Sequence, residues 1–188
     1  ALFGAATPRE FLAKMRSSGK TGPRASPSIA REPVIAQEIS TAPSTVATLI
    51  DLLEWHALHH PEHMHIRLYD DASDGEVITY QQLWLKASCV GGHLQAQGLL
   101  NGERVALMLP TSAAYFACFF GVLLAGGVPV PIYPPARKAQ LEDHLRRQSG
   151  ILRNSGVVQL ITVTEAVSVA KLLGNTVASL RQVLDAAT

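Results

Sequence analysis

Gly121-Val-Leu-Leu-Ala-Gly-Gly-Val-Pro-Val-Pro-Ile-Tyr-Pro-Pro135 ends a helix, starts a short strand and closes on a rigid turn. Gly126 and Gly127 suit a helix C-terminus that needs a left-handed residue, because glycine has no Cβ to clash there. Val128 to Ile132 is apolar enough for a buried strand. Pro134 and Pro135 then fix the backbone as it leaves the sheet.

Working outward, the same alternation continues on both sides. Arg104 to Leu109 reads as a strand, Ala113 to Ala125 as a helix, Lys138 to Asn154 as a helix, Val157 to Val163 as a strand and Glu165 to Leu173 as a helix. This βαβαβα order predicts an α/β fold, a mostly parallel sheet flanked by helices and joined by right-handed crossovers. A further helix is expected over Val177 to Ala187.

Upstream, Val46, Leu49, Ile50, Leu52, Leu53 and Ala57 form a helical stripe that must end near His60, because Pro61 follows. Met64 to Tyr69 and Glu76 to Ile78 read as the strands of a small β-hairpin, with Asp-Asp-Ala-Ser-Asp-Gly as its turn. Thr79, with Gln82 three residues on, can cap a helix that runs to about Gln97 and stops at Gly98. Residues 1–16 can hold a short helix opened by Thr7, Pro8 and Glu10, and Ser17 to Pro43 is rich in Ser, Pro, Thr and Ala. Residues 1–43 are therefore read as a flexible leader or linker, and 44–188 as the folded part.

The chain has 188 residues, is 47% hydrophobic and carries a net charge of +1. The charge is uneven: Ala1 to Ser40 holds six Lys/Arg against three Asp/Glu. The excess lies in the tail, so no basic folded face supports a nucleic-acid partner. Cys89 and Cys118 show neither CxxC spacing nor a disulfide framework, fit a reducing compartment, and are expected to be buried packing residues. The apolar run Ala113 to Val130 contains Gly121, Gly126, Gly127 and Pro129, which favours a buried helix and strand over a membrane span. No signal peptide is evident, and the cytoplasm is the expected location.

Two apparent motifs carry no chemistry. Gly19-Lys20-Thr21 resembles the end of a phosphate-binding loop, but Lys14 stands where the loop needs its first glycine and no strand precedes it. His56, His59, His60, His63 and His65 cluster at a helix end, and His56 with His60 has chelating i, i+4 spacing. No cysteine or carboxylate completes a site, and Pro61 interrupts the helix; a solvated surface cluster is expected.

Three segments in order carry a resemblance. Thr79-Tyr80 followed by Gln81, Gln82 and Leu83 comes first. Gly126-Gly127 with Pro129, Pro131, Tyr133, Pro134 and Pro135 comes second, beyond the Arg104 strand. The helix over Leu141 to Asn154 is third. Over about Ser44 to Leu173 the chain resembles the adenylate-forming ligases, and the Tyr133-Pro134-Pro135 turn is most similar to the fatty-acyl-AMP ligases. The resemblance implies the Rossmann-like N-terminal subdomain of an enzyme that uses ATP and Mg2+ to convert a fatty acid to an acyl-adenylate, then hands the acyl group to an acyl carrier protein.

The family's Ser/Thr/Gly-rich phosphate loop, adenine motif, ribose carboxylate and C-terminal lysine have no counterpart after Pro135. The ten motif residues are accordingly expected to be structural, with no catalytic, cofactor-binding or metal-binding residue among them. The chain alone is expected to be inactive, to bind neither ATP nor Mg2+ by itself, to need the remainder of the ligase and to self-associate through uncovered sheet. A non-catalytic scaffold module of the same fold and part of an acyl-CoA ligase are the alternatives.

Overall fold

The computed structural model describes residues 42–70, 73–134 and 141–187. The expected leader over residues 1–43 lies almost wholly outside them, as do the start of the helix expected from Lys138 and Pro135 of the turn. The described elements, in chain order, are α1 (Leu49–His59), β1 (Met64–Asp70), β2 (Ser73–Thr79), α2 (Tyr80–Ala96), β3 (Arg104–Met108), α3 (Ala113–Leu124), β4 (Val128–Ile132), α4 (Leu141–Ser155), β5 (Gln159–Thr162), a 3-10 turn (Thr164–Ala166), α5 (Val167–Gly174) and β6 (Gln182–Asp185).

β1 and β2 form an antiparallel hairpin with Ile66 opposite Ile78. β2 starts at Ser73, inside the segment expected to be turn. The register shifts between Leu68 and Asp70, and Gly75 sits beside that irregularity at φ +90°, where a Cβ would run into the Leu68 carbonyl. A bulge thus carries the pairing past the polar residues.

The second sheet has strand order β4-β3-β5-β6 and is parallel throughout. Central β3 alternates faces. Ala106 and Met108 pack with Leu160 of β5, Leu152 of α4 and Leu173 of α5. Val105 and Leu107 pack on the other face with Leu94 of α2 and Cys118 and Val122 of α3. A third cluster joins Leu53 of α1, Ile78 of β2, Leu83 and Ala87 of α2 and Phe120 of α3. Burying a Leu or Val side chain in this way contributes about 1.5–3 kcal/mol each relative to exposure.

β4 is an edge strand among the described residues, and this explains its prolines. Val128 donates its N–H to the Glu103 carbonyl at 2.8 Å. Ladder donors alternate, so the nitrogens of Pro129 and Pro131 fall on the outer side, where no N–H is needed.

The segment 177–187 corrects an expectation. It is not a helix: Gln182–Asp185 pairs in parallel with Gln159–Thr162. Val177, Leu180 and Leu184 have helical spacing, yet the first two pack on the α4/α5 side and Leu184 on the α2/α3 side. The exposed edge of β5 supplies a ladder that outweighs a weak helical preference.

Cys89 is also corrected, being exposed while Cys118 is buried. Helix α2 buries Leu83, Ala87, Gly91 and Leu94. Two residues beyond Ala87, at about 100° per residue, Cys89 lies on the opposite side of the helix.

Candidate functional site

Among the described residues, an open cleft of about 1070 Å3 lies at the C-terminal ends of β3 and β4, between the start of α3 and helix α4. The chain goes from β3 to β4 on one side, then returns past β3 to β5 on the other. Such a reversal leaves a crevice beyond the strand ends, where open parallel sheets bind ligands.

One wall is set by the turn from β3 into α3. The Ser112 hydroxyl accepts the Tyr115 N–H at 3.2 Å and donates to the Pro110 carbonyl at 3.1 Å. This N-cap fixes Thr111, Tyr115 and Phe116 at the cleft. At its far end α3 stops on a Schellman motif: Gly127 N–H donates to Val122 O at 2.8 Å, and Gly126 N–H to Leu123 O at 3.0 Å. Gly126 takes φ +82°. At Gly127 a Cβ would fit tightly, 3.0 Å from Leu99 Cδ2 and 3.1 Å from Val122 Cγ1. β4 therefore begins directly against β3 and delivers Pro131, Ile132, Tyr133 and Pro134 to the cleft.

Helix α4 forms the opposite wall. His144, Arg147, Gln148 and Ile151 follow i, i+3, i+4, i+7 spacing and all line the cleft. Leu145 and Leu152 face the core. The Ser149 and Thr176 hydroxyls hydrogen-bond at 3.0 Å and tie α4 to the turn after α5.

Among the described residues, two polar atoms in this wall are buried without partners: Oε1 of Gln148, a residue only 3% exposed, and Nε2 of His144. Burial, followed by the nearby Arg147 charge, pushes the His144 imidazole below its usual value of 6.5 and favours the neutral ring. Among the described residues, the cleft thus combines aromatic and aliphatic walls with the Arg147 guanidinium, the Asp143 carboxylate and two unsatisfied groups. Those α4 residues were not singled out as site residues in the sequence. The available signal was a glutamine and a histidine sharing one helical face with Ile151.

The sequence-derived motif residues divide between two places. Pro131, Tyr133 and Pro134 line the cleft, and Tyr133 is 83% exposed. Gly126, Gly127 and Pro129 form the helix stop and edge strand that place them. Thr79, Tyr80 and Leu83 lie at the junction of α1, the hairpin and α2. Thr79 caps α2 by accepting the Gln82 N–H at 3.2 Å while Gln82 Oε1 accepts the Thr79 N–H at 3.1 Å. Leu83 is buried, and Tyr80 opens the helix.

The histidine cluster lies at this second junction, with His59 and His65 exposed and His56, His60 and His63 half-buried. Tyr80 is stacked on His56 at a centroid distance of 4.4 Å and on His65 at 4.3 Å. No group of three or more His, Cys, Asp or Glu among the described residues is placed to hold a metal ion. Among the described residues, the cleft's Asp143 and Arg147 do not by themselves make an ATP–Mg2+ site. No helix among the described residues is long and apolar enough to cross a membrane.

The chain is an α/β fold whose crevice lies beyond the carboxyl ends of its parallel strands, the place where open parallel sheets hold ligands. The profile of the AMP-binding enzymes matches residues 53–187, and the chain belongs to that family. It is 34% identical over 92 residues to a long-chain-fatty-acid–AMP ligase of Mycobacterium marinum, covering 49% of this chain and 15% of the relative. A long-chain-fatty-acid–CoA ligase of Bacillus subtilis is 33% identical over 99 residues, covering 53% and 17%. The structure of a fatty acyl-adenylate ligase from Legionella pneumophila, in complex with acyl adenylate and pyrophosphate, superposes with a TM-score of 0.63 at 28% identity, covering 75% of this chain and 23% of that one. The chain thus spans under a quarter of the length of these relatives.

Proposed function

We propose that the chain is the N-terminal part of a fatty-acyl-AMP ligase. In that enzyme a fatty-acid carboxylate attacks the α-phosphorus of ATP, pyrophosphate leaves, and a carrier-protein thiol then takes the acyl group from the adenylate. The observation that carries the reading is the cleft framed by Pro131, Tyr133 and Pro134, inside a family match that covers the whole parallel sheet. Its apolar walls suit an acyl chain, and we assign this subdomain the role of scaffold and acyl-pocket wall.

The ten motif residues are assigned structural roles, and residues 44–188 are assigned to one subdomain preceded by a linker. The expected setting is the cytoplasm. The isolated chain is expected to be inactive, because stabilising charge on the α-phosphate requires several cations and oriented donors, typically with Mg2+, and Arg147 is the one cation among the described residues of this cleft.

The test is fatty-acid-dependent ATP–pyrophosphate exchange. It is expected in the complete ligase and absent from the 188-residue chain; exchange by the chain itself would overturn its assignment as a scaffold. The similarity to the Bacillus subtilis CoA ligase favours a second reading, in which free CoA is the acceptor. Acyl-CoA formation by the complete enzyme, with no acylation of a carrier protein, would select it.

A further inference from the structure

The ring stack around Tyr80 joins three elements. His56 comes from α1, His65 from β1, and Tyr80 is the first residue of α2. The rings of His56 and Tyr80 are inclined by 12°, those of His65 and Tyr80 by 26°, so the phenol lies between two imidazoles. Backbone bonds reinforce the junction: the Tyr80 N–H donates to the His63 carbonyl at 3.2 Å and the Gln81 N–H to the Pro61 carbonyl at 3.1 Å. These satisfy N–H groups that the first turn of a helix leaves unpaired.

The chemistry of His56 makes this junction sensitive to protons. Its Nδ1 is buried with no hydrogen-bond partner among the described residues. In a neutral ring that atom can be a bare lone pair, a tolerable loss; in the imidazolium it must carry an N–H and share a positive charge. An unpaired charged donor in a buried site is far more costly.

The groups facing His56 do not offset that cost. His59 approaches from its own helix, His60 from the cap that ends it, His63 from the following turn and His65 from β1, while Tyr80 and Phe120 come from α2 and α3. Among the described residues, the charges acting on His56 belong to other histidines. The C-terminal end of α1, which favours a cation, and the N-terminal end of α2, which disfavours one, both meet at this junction. Trp55 lies edge-on to His56 at 4.9 Å, with its ring face committed to His59.

We propose that the His56–Tyr80–His65 stack is an acid-released clasp that holds α1 and β1 against the start of α2. Burial and the neighbouring histidines hold His56 below its ordinary value of 6.5, and burial with His56 does the same for His65, whose outer edge stays exposed. Both rings are lowered in the folded state, so the unfolded clasp binds more protons. Its stability is therefore full above 6.5 and is lost as pH falls from there through the folded values. The four-stranded sheet contains no part of the stack and stays folded over the same range.

The test is an NMR titration of the uniformly labelled chain from about pH 7.5 to about pH 5, the interval in which histidine charges. The expected result is imidazole midpoints below 6.5 for His56 and His65, with amide signals of α1, β1 and the first turn of α2 broadening or shifting while those of β3 and β5 hold. His56→Phe keeps a flat ring on Tyr80 but cannot titrate, and should move the release to lower pH. Midpoints at or above 6.5 in the wild-type chain, loss of clasp and sheet together, or an unchanged release in a folded His56→Phe chain would each overturn the proposal. The wild-type titration decides the matter even if that variant does not fold.

Discussion

A Cβ added to Gly121 of α3 would lie 2.7 Å from both Cβ and Cγ1 of Val90 on α2, and 3.0 Å from the Ala87 carbonyl oxygen. The approach is reciprocal, since a Cβ at Gly91 would lie 3.1 Å from the Gly121 carbonyl. The two helices therefore cross nearly backbone to backbone, and this contact sets where α3 starts at the cleft.

Gly121→Ala should consequently destabilise the chain. Alanine gains up to about 1 kcal/mol in helix propensity, but an overpacked contact against a β-branched stem and a carbonyl costs about 1–3 kcal/mol. Gly92, exposed on the same helix as Gly91, meets nothing within 4 Å. Gly92→Ala should stabilise by about 0.5–1 kcal/mol. Urea midpoints would show opposite signs for the two substitutions; a rise for both would mean the crossing is looser than described.

Thr79 offers a test of whether a motif residue is structural. Its hydroxyl caps α2, so Thr79→Ala should cost about 1 kcal/mol and Thr79→Ser only a fraction of that. In the complete ligase, activity at a temperature where both variants are folded should be close to wild type. A large loss of kcat in Thr79→Ser would assign the residue to chemistry instead.

The two cysteines should differ sharply in reactivity. Burial pushes the Cys118 thiol up to about 11, whereas Cys89 is exposed. At neutral pH a thiol reagent should modify one cysteine per native chain, identified as Cys89 by peptide mapping, and two after denaturation. The raised Cys118 value also fixes a sign. The folded chain holds that proton longer than the unfolded chain, so stability from this group is full below about 9 and declines as pH rises towards about 11. Rapid native labelling of Cys118 would contradict the packing of α3.

Much of this architecture is legible in the chain because local chemistry and tertiary contacts agree. Val128 to Ile132 is bounded by a Gly-Gly stop and a proline turn, and the strand has those limits in the structure. The disagreement over 177–187 arises because its partner, β5, lies some 20 residues upstream and no local pattern reports a ladder formed at that distance. The cleft was half legible. Pro131, Tyr133 and Pro134 announce themselves by composition, but His144 and Gln148 matter because burial leaves them unpaired, and burial is a property of the assembled sheet.

The two sheet edges make different predictions about association. Pro129 and Pro131 blunt β4, whereas the outer edge of β6 carries no proline. Self-association of the chain should therefore run through β6 and appear as a concentration-dependent mass in sedimentation. Ala186 donates inward to Thr162 at 2.8 Å, so by alternation the Val183 N–H points outward. Val183→Pro should shift the equilibrium towards monomer. A wild-type chain that is monomeric at every concentration would remove the premise.

Gln148 links stability to binding. A buried carbonyl without a partner costs about 1–3 kcal/mol, and replacing it by an apolar group of similar shape can recover part of that. Gln148→Met should therefore leave the 188-residue chain as stable as wild type or raise its stability by about 1 kcal/mol, read from its thermal midpoint. If the cleft holds a ligand group that donates to this carbonyl, the same substitution should weaken binding in the complete ligase by about tenfold, the equivalent of roughly one hydrogen bond. The pairing of the two outcomes is informative. A stabilised chain in a weakened enzyme identifies a polar group kept for its ligand, because selection for folding alone would favour the methionine. Destabilisation by more than about 1 kcal/mol would instead show that Gln148 has a structural partner in the folded protein. Unchanged activity with raised stability would remove the glutamine, and this wall of the cleft, from the binding site.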